Sequence, residues 1–333
     1  MKRIVLIIFV CAVTLVTTLS AKAQIERPFT GQIALDLRSF NASGGRNRSG
    51  VYGAELNVQG KLGKGWRVHF EGAQNNAKSL TTAGAVFNQF ITQQANVEYL
   101  AGKQSFSAGV VRLPFGLYDH RETYASGLID YPLLRGDSAL QALDWGVTGA
   151  KYTGFKGNTQ WETSAFGGTG AGMWGNQNNV SGIASRLQTY YKGVIVGLSR
   201  WDGSTSTAGK GQEGTHLTGV DVRYTRPHLL LRGEYMAGDH AGQKSHGFSI
   251  DAFYHLPKFE RWTLSTRWEA FQPSTNTTTT RQLTVGVRYT LSKDWMLALN
   301  WRKNNGPDYS PSWTPSSRAG GDFYFQAYRK VGF

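Results

Sequence analysis

The sequence predicts an all-β chain, a transmembrane antiparallel β-barrel of about 16 strands, on three observations. Apolar and polar residues alternate with period two along nearly the whole chain, and no window carries an apolar stripe of 3.6-residue period. Short connections alternate with long ones. Residues 321–333, GDFYFQAYRKVGF, form a strand with Phe323, Phe325, Ala327, Val331 and Phe333 on one parity. A soluble domain gains little from burying aromatic rings at a frayed terminus. A barrel in lipid must pair its last strand with its first, because unpaired backbone groups there find no water.

In chain order, residues 29–40 set Ile33, Leu35 and Leu37 against Gln32, Asp36 and Arg38, and residues 66–72 set Trp66, Val68 and Phe70 against Arg67, His69 and Glu71. The alternation returns at 216–224 through Thr218, Val220, Val222 and Tyr224, at 228–236 through Leu229, Leu231 and Tyr235, and at 247–256 through Phe248, Ile250, Ala252 and Tyr254. It continues at 261–271 through Trp262, Leu264 and Trp268, at 281–291 through Leu283, Val285, Val287 and Tyr289, and at 294–302 through Trp295, Leu297, Leu299 and Trp301. Strands at 51–60, 88–100, 104–111, 144–153, 159–167, 182–190 and 193–201 are placed by the turns that bound them, since their parity is less regular, most of all over 144–201. The closing strand completes the set.

The short connections are KLGKG at 61–65, AGK at 101–103, GFKGN at 154–158, YKG at 191–193, TRPH at 225–228, LPKFE at 256–260 and LSKD at 291–294. The long ones fall at 41–50, 73–87, 112–143, 168–181, 202–215, 237–246, 272–280 and 303–320. Short turns on the periplasmic side and long loops on the outer side are the arrangement of a bacterial outer-membrane barrel. No proline falls in a strand interior, where it would remove a ladder donor. A soluble β-sandwich also alternates, but Trp262, Trp268, Trp295 and Trp301 sit near the two ends of neighbouring strands on the apolar parity, as interfacial girdles do.

Residues 1–23 are expected to be a cleaved export signal and 24–333 the barrel: Lys2 and Arg3 precede an apolar run at 4–19, and Ala21-Lys22-Ala23 forms an A-x-A cleavage site. The run is shorter than the roughly 20 residues a membrane helix needs. Cys11, the one cysteine, lies in that run, which excludes a disulfide framework or thiolate metal site from the exported chain. The mean hydropathy of -0.36 is no objection to a membrane barrel, whose two faces cancel. The net charge of +14 raises a nucleic-acid reading, but the cations are spread along the chain instead of clustered, and an exported chain meets little nucleic acid.

Two features resemble known proteins. The closing strand, with Phe325, Val331 and a final Phe333, resembles the assembly signal read by the outer-membrane barrel assembly machinery. Arg112-Leu113-Pro114-Phe115-Gly116-Leu117 opens the longest loop, and with its flanking AGVV and DWGVTGAKYTG it resembles the phosphate-selective porin O and P family over roughly 40 residues. That resemblance implies a homotrimeric diffusion pore whose long third loop folds into the lumen, among outer-membrane lipid and lipopolysaccharide, passing small hydrophilic or anionic solutes. A polar, open lumen is also where a long loop with mixed charge finds water. The loop's candidate constriction residues are Arg112, Arg121, Arg135, Asp119 and Glu122, with Asp130 and Asp137, and the alternative is that they pair and hold the loop to the wall. The wall candidates are Arg38, Arg67, Arg232, Arg267 and Arg288.

A charge count qualifies the anion preference. The inward parity sets Arg38, Arg67, Arg223, Arg232, Arg267, Arg288 and Arg302 against Asp36, Glu55, Glu71, Glu98, Glu162, Asp221, Glu234, Asp251 and Glu269, so the lumen is not basic. Much of the positive excess sits in the short turns, each of which carries a cation; such a rim either concentrates anions or meets lipid headgroups.

Catalysis is not expected. The histidines are scattered, Asp119-His120 and Asp239-His240 are adjacent pairs whose side chains diverge, and no G-x-S-x-G occurs. Asp239, His240 and His246 are a weak metal candidate with a solvated loop as the default. The G-x-G-x-x-G at 170–175 precedes NQNNVSG and no helix, so it has no phosphate-binding terminus. The expected protein is a porin without cofactor; the alternatives are a structural or adhesive barrel with a blocked lumen, or a barrel enzyme.

Overall fold

A computed structural model describes residues 29–41, 48–75, 89–117, 127–128, 133–135, 146–167, 179–206, 212–240, 243–272, 278–305 and 321–333. The strands are β1 (Phe29–Asn41), β2 (Arg48–Gly63), β3 (Trp66–Asn75), β4 (Gln89–Ala101), β5 (Gln104–Arg112), β6 (Gly146–Lys156), β7 (Thr159–Phe166) and β8 (Asn179–Tyr191). They continue with β9 (Val194–Ser206), β10 (Gln212–Arg226), β11 (Leu229–His240), β12 (Gln243–His255), β13 (Trp262–Gln272), β14 (Thr280–Thr290), β15 (Trp295–Asn305) and β16 (Gly321–Gly332). A single 3-10 turn is described at Leu133–Arg135. The export signal expected at 1–23 lies outside the described residues.

Each strand pairs antiparallel with its sequence neighbours, and β1 pairs with β16, closing a 16-strand barrel. Closure runs from Asn41 opposite Phe323 to Gln32 opposite Gly332. It ends in a reciprocal pair, Gly31 N–H donating to the Phe333 carbonyl at 3.0 Å and Phe333 N–H to the Gly31 carbonyl at 2.9 Å. The Phe333 ring lies over Gly31, where an added Cβ would stand 2.2 Å from Cζ.

The two parities have opposite surfaces. On β13, Leu264 is 46% and Trp268 51% exposed, whereas Arg267 is 3% and Glu269 0% exposed. That is the reverse of a soluble sheet. The greasy side faces out and the charged side faces in, the surface of a barrel that spans a bilayer. The hairpins follow from their turns: Lys192 and Gly193 both take positive φ, at 45° and 86°, as the tight turn joining β8 to β9 requires.

The described strands reach further at the long-loop end than the sequence predicts. The loop expected at 237–246 shrinks, because β11 continues to His240 and β12 begins at Gln243, and that expected at 202–215 gives residues to β9 and β10. These extensions are polar on both faces, so hydrophobic alternation gave no sign of them.

Candidate functional site

The inward face is a lattice of guanidinium groups and carboxylates on the same or nearby strands. Direct register places Arg232, Asp251 and Arg267 side by side on β11, β12 and β13. Arg232 Nη2 donates to Asp251 Oδ2 at 2.7 Å, and Arg267 Nε donates to Oδ1 at 2.7 Å. Across the closure seam Asp36 Oδ2 accepts from Arg38 Nε and from Gln326 Nε2, both at 2.9 Å. On β8 and β10, Arg186 Nη2 donates to Asp221 Oδ1 at 2.7 Å, and on β15 and β16 Arg302 stands 3.5 Å from Asp322. The bonds of 2.7–2.9 Å among these are charge-assisted hydrogen bonds of the strong kind.

Three described pieces of the long segment after β5 meet this wall. Gly116 N–H donates to Ser199 Oγ on β9 at 3.1 Å, Asn300 Nδ2 on β15 donates to the Gly127 carbonyl at 2.8 Å, and Leu133 N–H donates to Glu269 Oε2 on β13 at 2.6 Å. Ser199, Asn300 and Glu269 all belong to the buried inward parity. An apolar patch lies beside them. Val147, Phe166, Ala184, Trp201, Leu217 and Met236 face inward from β6 to β11 and form one buried cluster with Leu113, Phe115, Leu133 and Leu134. Gly219 makes room for it, since a Cβ there would meet the Phe115 ring at 3.0 Å. Among polar inward-facing residues an apolar patch gains by covering itself with apolar side chains, and this burial helps to seat these pieces.

The predicted site residues divide accordingly. Arg38, Arg232, Arg267 and Arg288 lie on the inward parity; the first three hold carboxylates, and Arg288 Nη2 donates to Thr263 Oγ1 at 3.0 Å. Arg67 is on the same parity of β3, exposed near the short-turn end. Arg112 ends β5 with Nη2 2.7 Å from Glu71 Oε1, a pairing that ties the loop's first residue to the wall. Asp119, Arg121, Glu122, Asp130 and Asp137 lie outside the described residues, and of Arg135 only the backbone, in the 3-10 turn, is described. The sequence reading passed over Lys151, Arg186 and Asp322, which also face inward, and the apolar cluster around Trp201. Adding those charges leaves cations and acids near balance. The signal for Trp201 was present: a large ring on the parity of Ser199, in the region where parity is weakest.

Outside, Arg200 pairs with Asp202, whose Oδ1 lies 2.8 Å from His216 Nδ1, toward the long-loop end of β9 and β10. No group of three or more His, Cys, Asp or Glu able to hold a metal occurs among the described residues. The pair Asp119-His120 and the glycine-rich 170–175 lie outside the described residues.

No protein-family model and no curated protein matches the sequence. Solved structures do match. Salmonella typhi OmpF in complex with daunomycin is 11% identical, with a TM-score of 0.66 over 91% of this chain and 97% of that one. An anion-selective porin from Comamonas acidovorans is 13% identical, with a TM-score of 0.61 over 92% and 98%. A trimer form of OmpT, an outer membrane protein of Vibrio cholerae, is 11% identical, with a TM-score of 0.57 over 91% and 98%. The fold is that of the outer-membrane porins.

Proposed function

We propose that the chain is a porin of the bacterial outer membrane, a passive diffusion channel for small hydrophilic solutes that needs no turnover and no cofactor. One observation carries this reading: a closed barrel, apolar outside, lined within by polar and charged side chains that are useless to a dry core. The long segment after β5 narrows the lumen, an arrangement supported by its bonds to Ser199, Glu269 and Asn300 on three separate walls. Arg112, paired with Glu71 on the wall, marks where that segment begins.

Likeness to an anion-selective porin and the hexapeptide at 112–117 favour anions, and the hexapeptide alone favours phosphate and the porin O and P family. The near balance of inward charges argues for weak selectivity. A homotrimer is supported by the trimer form of OmpT. Lipid, lipopolysaccharide and the assembly machinery are the partners such a barrel needs.

The competing reading is a barrel with a blocked lumen, favoured by how thoroughly the lining is covered: Arg302 is 1%, Asp251 0% and Gln326 0% exposed. Liposome swelling separates the two. A porin admits small sugars at rates that fall with solute size, and a blocked barrel admits none.

A further inference from the structure

The short-turn end carries a collar of cations whose placement selects a partner. All seven short turns hold a lysine or arginine, against only Glu260 and Asp294. Three cations at this end lie over rings: Lys192 Nζ is 5.2 Å from the Tyr191 centroid, Arg226 Cζ 5.3 Å from that of Tyr224, and Arg329 Cζ 5.3 Å from that of Trp295. Arg226 Nε also donates to Tyr224 Oη at 2.6 Å. Tyr191, Tyr224 and Trp295 belong to the outward parity of β8, β10 and β15, so these cations are held on the exterior and not over the mouth of the lumen. Two further ring pairs, Trp66 with Tyr99 at 4.9 Å and Trp262 with Tyr289 at 4.7 Å, stand at the same end on the same face. Interfacial aromatic rings mark the depth of lipid headgroups. A cation resting on such a ring is held at that depth, where its N–H groups beyond those already engaged meet phosphate. Among the described residues at the other end of the exterior the charges are mixed, with Arg200 committed to Asp202.

We infer that this collar binds the phosphate headgroups of anionic glycerophospholipids in the leaflet it faces, and that its share of the chain's positive charge therefore anchors the barrel and does not set the pore's ion selectivity. The charge complementarity is one-sided: a cation-rich ring meets a leaflet whose exposed groups are phosphodiesters. The inference rests on the membrane-spanning reading above, with the short turns at the periplasmic leaflet.

Native mass spectrometry of the folded full-length protein in detergent, with phosphatidylglycerol or phosphatidylcholine added, tests it beside the triple variant Lys192→Gln/Arg226→Gln/Arg329→Gln. The native chain is expected to retain phosphatidylglycerol at least fivefold over phosphatidylcholine, and the triple variant to lose that preference. Both are expected to give the same ratio of anion to cation permeability, and millimolar inorganic phosphate to leave lipid retention unchanged. Equal retention of the two lipids by the native chain overturns the inference. So does a variant that shifts ion selectivity without losing lipid, or displacement of the lipid by free phosphate. Folding of the variant is checked by the heat-dependent gel mobility of intact barrels. Lipid retention needs no conducting pore, so a closed lumen would defeat the porin reading and leave this result standing.

Discussion

Arg267 grips Asp251 at both carboxylate oxygens, Nε to Oδ1 at 2.7 Å and Nη2 to Oδ2 at 3.1 Å, while Arg232 reaches Oδ2 from the opposite flank. All three side chains are buried in the lining, so the carboxylate is what lets two guanidinium groups stand on adjacent sides of one strand.

Removing that carboxylate leaves two covered cations facing each other. Asp251→Ala is expected to destabilise the barrel by about 3 kcal/mol, as breaking a buried pair does. The check is the temperature at which the fast-migrating folded band converts to the slow one on gels. Asp251→Glu, which keeps the charge, should retain most of the stability.

Trp201 is fully buried where the inner wall meets Leu113, Phe115, Leu133 and Leu134. Trp201→Ala removes the largest apolar side chain of that contact and is expected to cost about 3–5 kcal/mol. Because the contact seats the long segment, single-channel current should also become larger and noisier. Gly219→Leu, which drives a side chain into the Phe115 ring, should disturb the current in the same way without opening a cavity.

At the closure seam Gly31 has no room for a side chain, with the Phe333 ring over it and the Asn57 carbonyl 2.9 Å from where a Cβ would stand. Gly31→Val is expected to push the Phe333 ring off the seam and slow barrel closure. Refolding into detergent micelles, followed by the folded fraction on gels, should be several-fold slower than for the native chain.

On the exterior, Val285 sits mid-strand in the apolar belt, 46% exposed. Val285→Arg is expected to cost about 2–4 kcal/mol in a bilayer, the range for a cation near the midplane. Val285→Ile should be neutral, and urea titration of the protein refolded in vesicles reads both.

The strands were legible where the two faces differ most. Trp262, Leu264 and Trp268 against Thr263, Arg267 and Glu269 show the parity of β13 directly in the sequence, and the structure repeats it in alternating exposure. Over β6 to β9 the contrast fails for a physical reason. The inner wall carries Val147, Phe166, Ala184 and Trp201 to receive the long segment, while the outer face carries Thr163, Ser185, Arg200 and Asp202. Polar and apolar side chains occur on both faces there, so alternation weakens. The candidate site was legible only as unpaired sets of inward arginines and inward acids. Which carboxylate each one meets depends on cross-strand register, as between Arg186 and Asp221, 35 residues apart in sequence, and no local pattern encodes that spacing. The contacts of Gly116, Gly127 and Leu133 join residues still further apart and were invisible for the same reason.

Single-channel recording of the purified protein in a planar lipid bilayer tests the central claim most directly. A water-filled barrel predicts stepwise, ohmic currents and, under a salt gradient, a small reversal potential that reflects its nearly balanced lining. A folded, membrane-inserted protein that passes no current contradicts it.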